Sequence, residues 1–188
     1  VYQSSAFEQD TAADLEKIFE NKAPGYCYTR VGNPTVTAFE NRITKLEGGM
    51  ASIACASGMA AIMNAILNIV RSGDEIVSSA SLYGGSIDLF HDIEEFGIKT
   101  RYVKNNDWEA IEGAINEHTR LLFAETIGNP CLDVTDVERL AEIAHAHKIP
   151  LILDNTTATA YLFQGLKHGA DIVVNSSSKY INGSSNSI

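Results

Sequence analysis

From about Ser57 onward, segments with helical spacing of apolar residues alternate with short, almost unbroken apolar runs. That alternation is the pattern of βαβ units, and it restricts the chain to an α/β fold around a mostly parallel sheet. A parallel strand is covered on both faces, so it reads as a continuous apolar run rather than as alternating polar and apolar residues. Helices are expected over Ser57 to Val70 (closed near Gly73), Ser86 to Phe96 (with Ile87, Phe90 and Ile93 on one side, stopped by Gly97), Asp107 to Asn116 and Asp136 to His147. Strands are expected over Glu75 to Ala80, Lys99 to Val103, Leu121 to Glu125, Pro150 to Asp154 and Ala170 to Asn175, the last leading towards Lys179. Gly84-Gly85 reads as a chain break.

The first fifty residues differ. Gly25 to Pro34 has turn chemistry, and a helix from about Thr35 runs to Gly48-Gly49, so residues 1–50 read as an arm ahead of residues 51–188. At 188 residues and 45% hydrophobic the chain suffices for one packed core. A net charge of −10 argues against a nucleic-acid partner. Ala51 to Val70 carries no charge over a length that could span a bilayer, but Ser52, Ser57, Asn64 and Asn68 interrupt it, so a buried helix and no membrane partner are expected. Cys27, Cys55 and Cys131 are odd in number and lack CxxC spacing, which suits a reducing, cytoplasmic setting. The start of the chain has neither a signal peptide nor an initiator Met, so a cut or processed chain is expected.

In open α/β sheets ligands collect at the carboxyl ends of the strands. Polar residues there are Tyr83-Gly84-Gly85, Glu125 to Pro130, Asp154-Asn155-Thr156 and Ser176 to Lys179, joined by Ser57-Gly58-Met59 where a helix opens with free N–H groups. Asp154, after an apolar strand, needs a hydrogen-bond or cationic partner, and a protonated ring nitrogen or an Arg would serve. Lys179, if partly desolvated, becomes a carbonyl nucleophile; a solvated surface lysine is the plain alternative. Ser57-Gly58 is by itself an ordinary cap. Glu125 is either a core-edge acid or part of a pocket. The Ser176-x-x-Lys179 spacing also occurs in serine-lysine enzymes, but the accompanying Ser-Asp-Asn and Lys-Thr-Gly are absent. No Gly-x-Gly-x-x-Gly follows the early strands, which weakens a dinucleotide-binding reading. His145 and His147 face nearly opposite ways on a helix, so no metal site is expected, and Cys131 is expected to be a buried small hydrophobe.

Taken together, Tyr28-Thr29-Arg30-x-x-Asn33-Pro34-Thr35, Leu46-Glu47-Gly48-Gly49, Ala56-Ser57-Gly58-Met59-Ala60-Ala61, Leu82-Tyr83-Gly84-Gly85, Glu125-Thr126-Ile127-Gly128-Asn129-Pro130, Asp154-Asn155-Thr156, Gly169-Ala170-Asp171 and Ser176-x-Ser178-Lys179-Tyr180 resemble the Cys/Met-metabolism family of pyridoxal-phosphate enzymes, in that family's order. The resemblance implies the three-layer, mostly parallel large domain of the aspartate-aminotransferase-like transferases, fold type I, incomplete at its C-terminus. It makes Lys179 the Schiff-base lysine and proton shuttle, with Asp154 holding the pyridine nitrogen protonated. Tyr83 would stack on the ring and Asn129 would bond near its 3-oxygen. Ser57, Gly58, Met59, Thr156, Ser176 and Ser178 would complete the cofactor site, chiefly around the phosphate. Tyr28 and Arg30 would reach the phosphate of a neighbouring subunit, with Tyr28 and Tyr83 also counted as catalytic, in a homotetramer built as a dimer of dimers.

Within the family, Glu-Thr-Ile-Gly-Asn-Pro and Asp-Asn-Thr-Thr-Ala-Thr look most like O-acetylhomoserine sulfhydrylases. That implies γ-replacement on an O-acylhomoserine by sulfide or a thiol, with Lys179 removing the Cα and then a Cβ proton. Methionine γ-lyase and cystathionine γ-synthase or lyase share the early steps and stand as alternatives. A catalytically incompetent cofactor-binding or assembly fragment is an alternative of another class. The chain departs from the family at Asn175, where His is usual, at Ser178 in place of Thr, and at Gly183-Ser184 in place of Gly-His. Relatives continue past the lysine into a smaller C-terminal domain whose Arg binds the substrate carboxylate, so a truncated chain is expected.

Overall fold

A computed structural model describes residues 1–187. The chain divides into two compact units, Val1–Lys45 with Gly49–Ala54, and Leu46–Gly48 with the chain from Cys55 onward.

In the smaller unit, helix α1 (Ala12–Phe19) is capped by Thr11, whose hydroxyl accepts the Asp14 N–H. Sequence reasoning passed over α1, because it is eight residues long and buries none of them. Helix α2 (Pro34–Glu47) begins at Asn33-Pro34-Thr35, which suits proline at a first helical position. Buried Asn33 accepts the Thr35 N–H at 2.9 Å and donates to the Tyr2 carbonyl and the Thr29 hydroxyl.

The larger unit is a five-stranded sheet ordered β2-β1-β3-β4-β5: β1 (Glu75–Ser79), β2 (Lys99–Val103), β3 (Thr119–Glu125), β4 (Leu151–Asp154) and β5 (Ile172–Val174). Every pairing is parallel. The alternation of side chains along each strand divides the core in two. Ile76, Leu121, Phe123, Ile152 and Val174 pack with α3 (Gly58–Ile69) and α4 (Gly84–Asp92), through Ile62, Ile66 and Phe90. Val77, Leu122, Ala124, Leu151 and Leu153 pack with α5 (Trp108–Ala114) and α6 (Val137–Ala146), through Ile111, Leu140 and Ile143. Three layers follow, as the family resemblance implied. The strand order reverses between β1 and β3, so the crevice of the fold opens where those strands end.

Several local expectations are corrected. Gly84-Gly85 does not break the chain but forms the first turn of α4, with Tyr83 at the N-cap position. Ile87 is exposed while Phe90 and Ile93 are buried, so only part of the proposed apolar face is core. Cys131 is exposed rather than buried. The segment after β4, which carried no element in the sequence reading, holds a short helix α7 (Thr159–Leu162) and a 3-10 turn (Gly165–His168). Among the described residues no helix is long and apolar enough to cross a membrane, and α3 is only 12 residues long.

Candidate active site

Helix α3 starts against the segment that follows β5. Ser57 caps it, its hydroxyl accepting the Ala60 N–H at 3.0 Å, which leaves the N–H groups of Gly58 and Met59 at the open first turn. A Cβ at Gly58 would lie 2.7 Å from Ser176 Cβ, so only glycine lets the helix end approach this closely. Ser176 and Ser178 stand with their hydroxyls 3.2 Å apart, and the Ser176 N–H donates to Thr156 Oγ1 at 2.8 Å. Backbone donors and hydroxyls thus meet in one place, a cradle suited to an anion.

Asp154 and Glu125 end adjacent strands in direct register, so both project to the side of the sheet covered by α3 and α4. Asp154 Oδ1 accepts the Thr156 N–H at 2.9 Å. Burial holds its carboxyl above the usual carboxylate range, against the hydrogen bonds of Thr156. Glu125 is 5% exposed. It accepts the Tyr83 N–H on Oε1 at 2.6 Å and the Asn129 N–H on Oε2 at 3.2 Å. Burial, with Asp154 and Asp133 adding, pushes it up to about 7. Neither acid forms an ion pair among the described residues.

Tyr83 is half-exposed beyond β1. A Cβ at Gly85 would come within 2.5 Å of its ring, so the glycine gives that ring its place over the first turn of α4. Lys179 lies in a single wide turn, Ser177–Ile181, with its N–H donating to the Ser176 carbonyl at 3.1 Å. Of the two alternatives open from the sequence, a partly desolvated and a solvated lysine, the structure shows the exposed one. Ser57, Gly58, Met59, Tyr83, Asn129, Asp154, Thr156, Ser176, Ser178 and Lys179 all belong to the larger unit, in the segments that begin α3 and follow β1, β3, β4 and β5. Tyr28 and Arg30 belong to the smaller one, where the guanidinium stands 5.4 Å from the Tyr28 ring centre.

Three residues gained roles that the sequence reading did not give them. Asn155, wholly buried, joins three strands' ends: its N–H donates to the Val174 carbonyl, its side-chain amide to the Phe163 carbonyl, and its Oδ1 accepts the Thr126 hydroxyl. Asn175, one of the departures, donates to Glu47 at 2.8 Å, and burial raises the Glu47 carboxyl above its ordinary range. Glu125 bridges two turns through backbone donors. A polar residue after an apolar run was the available signal for each, but the partners are backbone groups or lie far off in sequence.

The whole of residues 1–188 matches the family described as Cys/Met metabolism PLP-dependent enzyme. The chain belongs to that family. It is 43% identical over 189 residues to the O-acetyl-L-homoserine sulfhydrylase of Leptospira meyeri, covering 100% of this chain and 43% of that protein. It is 41% identical over 185 residues to an L-methionine γ-lyase of Fusobacterium nucleatum subsp. nucleatum, covering 97% of this chain and 47% of the relative. An O-acetylhomoserine (thiol)-lyase structure from Campylobacter jejuni, containing N'-pyridoxyl-lysine-5'-monophosphate, superposes with a TM-score of 0.94 at 37% identity, over 100% of this chain and 46% of that one. The chain therefore spans less than half the length of these relatives. Within the Cys/Met family the cofactor is pyridoxal phosphate, and the fold is that of its trans-sulfuration enzymes.

Proposed function

We propose that the protein catalyses γ-replacement on an O-acylhomoserine with sulfide or a thiol, and that Lys179, Asp154 and the Ser176/Ser178 cradle carry it. The observation that supports this most is the pairing, at the carboxyl end of one sheet, of an anion cradle with a partly buried carboxylate that has no ion pair among the described residues. Pyridoxal phosphate fits both: its phosphate suits the cradle and its protonated ring nitrogen suits Asp154. When bound, the cofactor supplies an electron sink for a carbanion at the substrate Cα.

The protein's own groups do the rest. The N–H groups of Gly58 and Met59 and the hydroxyls of Ser57, Ser176 and Ser178 bind the phosphate, and Thr156 holds Ser176 in place. Asp154 would accept the ring N–H and keep that proton on the nitrogen. Tyr83 would stack on the ring and Asn129 would donate near its 3-oxygen. Lys179 Nζ would hold the cofactor and, once free, would take the Cα proton and a Cβ proton of the substrate. Tyr28 and Arg30 bind the phosphate of a neighbouring subunit in a homotetramer, an arrangement suited to an Arg fork. Residues 1–50 form the intersubunit arm and 51–188 the cofactor-binding part.

Two of the relatives favour different outcomes after the shared steps, a sulfhydrylase at 43% identity and a methionine γ-lyase at 41%. The deciding assay compares homocysteine formed from O-acetylhomoserine plus sulfide with the 2-oxo acid released from methionine. Replacement faster than elimination is expected; the reverse makes the protein a γ-lyase. Borohydride reduction followed by peptide mass analysis should find the cofactor on Lys179, and finding it on another lysine would overturn the site.

A further inference from the structure

We propose that Glu125 is a positioning residue: one carboxylate, bonded to the backbone N–H groups of Tyr83 and Asn129, sets the spacing of the two turns that carry the ring-facing side chains. The inference rests on the reading of Tyr83 and Asn129 as cofactor contacts. The topology explains why such a brace is needed. Tyr83 follows β1 and Asn129 follows β3, the two strands between which the sheet order reverses. No backbone pair of the ladder joins their connections once the strands end, because the last β1–β3 register pair is Ser78 with Phe123; the Ser81 hydroxyl, donating to Asp133, crosses further out but touches neither Tyr83 nor Asn129. Glu125 stands two residues beyond that pair, and its Oε1 reaches across to Tyr83 N at 2.6 Å while Oε2 turns back to Asn129 N at 3.2 Å.

The chemistry of the acceptor is specific. Both partners are donors aimed at different oxygens of one group, and a carboxylate is the side chain that offers two acceptors and no donor. Its backbone is tied down as well, the Glu125 carbonyl accepting the Thr135 hydroxyl at 2.6 Å. A residue kept only to close the edge of the core would be satisfied by an apolar or amide side chain of equal size. An acid sited here, beside Asp154 and near Asp133 and without an ion pair, is kept against the cost of its burial. The bonds it makes go to two turns of the proposed cofactor site, which is where that cost is recovered as order.

Glu125→Gln tests this directly. An amide can accept from one of the two N–H groups but must point its own NH2 at the other. In the full-length protein without cofactor, amide hydrogen exchange at Tyr83 or Asn129 should quicken by roughly ten- to hundred-fold, with Leu122 and Phe123 unchanged. With cofactor added, its visible circular dichroism should weaken and its dissociation constant rise by about ten-fold. Glu125→Ala should free both amides. Equal exchange at both turns in Glu125→Gln, or loss of protection spread evenly through β3 and β4, overturns the proposal. Should neither variant fold, the wild type decides: after correction for intrinsic exchange, the Tyr83 and Asn129 amides should exchange slower by about ten-fold or more than unbonded loop amides, and exchange of both at the free-loop rate overturns the brace. Quickened exchange in a protein whose wild type binds no cofactor would keep the brace and refute the cofactor site instead.

Discussion

Two glutamates sit at opposite ends of the same sheet with almost equal burial. Glu75, the first residue of β1, is 6% exposed, and Glu125, the last of β3, is 5% exposed. Glu75 receives Arg101 Nε at 2.5 Å and Asn116 Nδ2 at 2.7 Å, and these bonds lower its carboxyl to about 2. Glu125 receives only two backbone N–H groups, and burial pushes it up to about 7. The amino end of the sheet is thus electrically finished by the chain itself, as is Asp74 by Arg120 at 3.0 Å. The carboxyl end is left short of positive charge, with Asp154 raised as well. That asymmetry identifies the end at which a ligand bringing a cation is stabilised.

The comparison breaks outright if chemistry does not follow it. On the proposed roles, Lys179→Ala should lower turnover by about three orders of magnitude or more, since it removes both the proposed nucleophile and the proposed proton carrier. Glu75→Gln, at the other end, should leave turnover unchanged. Asp154→Asn should cost roughly a hundred- to a thousand-fold in kcat, because an amide cannot hold the ring proton electrostatically. The same substitution should not lower the stability of the cofactor-free protein at pH 8, where the buried carboxylate is a burden.

Stability sharpens the contrast further. Glu125 moves from an ordinary value of 4.5 to about 7 on folding, so between those values the folded state holds a proton that the unfolded chain does not. Its contribution is complete below about pH 4.5 and is lost as pH rises through 7, a change of about 3 kcal/mol at most. Asp154 and Glu47 are raised too and act with the same sign. Urea denaturation of the cofactor-free protein should therefore give lower stability at pH 8 than at pH 5.5, and Glu125→Gln should flatten that slope. Gly58→Ala should cost about 1–3 kcal/mol, since its Cβ would meet Ser176 Cβ and Cα at 2.7 and 3.1 Å. A thermal melt unchanged by this substitution would mean that α3 does not press on the cradle.

Much of the fold was legible because buried parallel strands leave continuous apolar runs: Leu121 to Ala124 and Leu151 to Leu153 are buried throughout. Helix α6 was legible from its spacing and its Asp136 cap, which accepts the Arg139 N–H. Helix α1 was not found although Leu15 and Ile18 recur at helical spacing behind the Thr11 cap, because eight residues are too short a run to stand out from the turn-rich segment around them. Gly84-Gly85 misled because glycine signals a break in a helix interior but costs little in a first turn, where the N–H groups lack helical partners anyway. In the candidate site, strand ends and motif resemblance pointed to Gly58, Thr156, Ser176 and Ser178, which the structure brings together. The exposure of Lys179 stayed open between two alternatives in the sequence, since desolvation depends on what stands over a side chain, not on the run before it. The brace of Glu125 was invisible for a different reason: its partners are backbone groups, which look alike in every sequence.

The smallest expected effect tests the quieter end of the sheet. Arg101 is half-exposed, so its bond to Glu75 is screened by water and contributes far less than the depression to about 2 would imply in isolation. The sign is opposite to that of Glu125. A carboxyl lowered on folding adds stability that is present above its unfolded value, near 4.5, and is lost as pH falls through about 2. Arg101→Gln should therefore lower stability slightly at pH 7, and the loss should shrink towards zero as pH falls through about 2, where Glu75 gains its proton in wild type and variant alike. A loss that stayed constant with pH would show that Arg101 acts through its aliphatic packing on the edge strand, and the electrostatic half of the contrast would then rest on Asn116 alone.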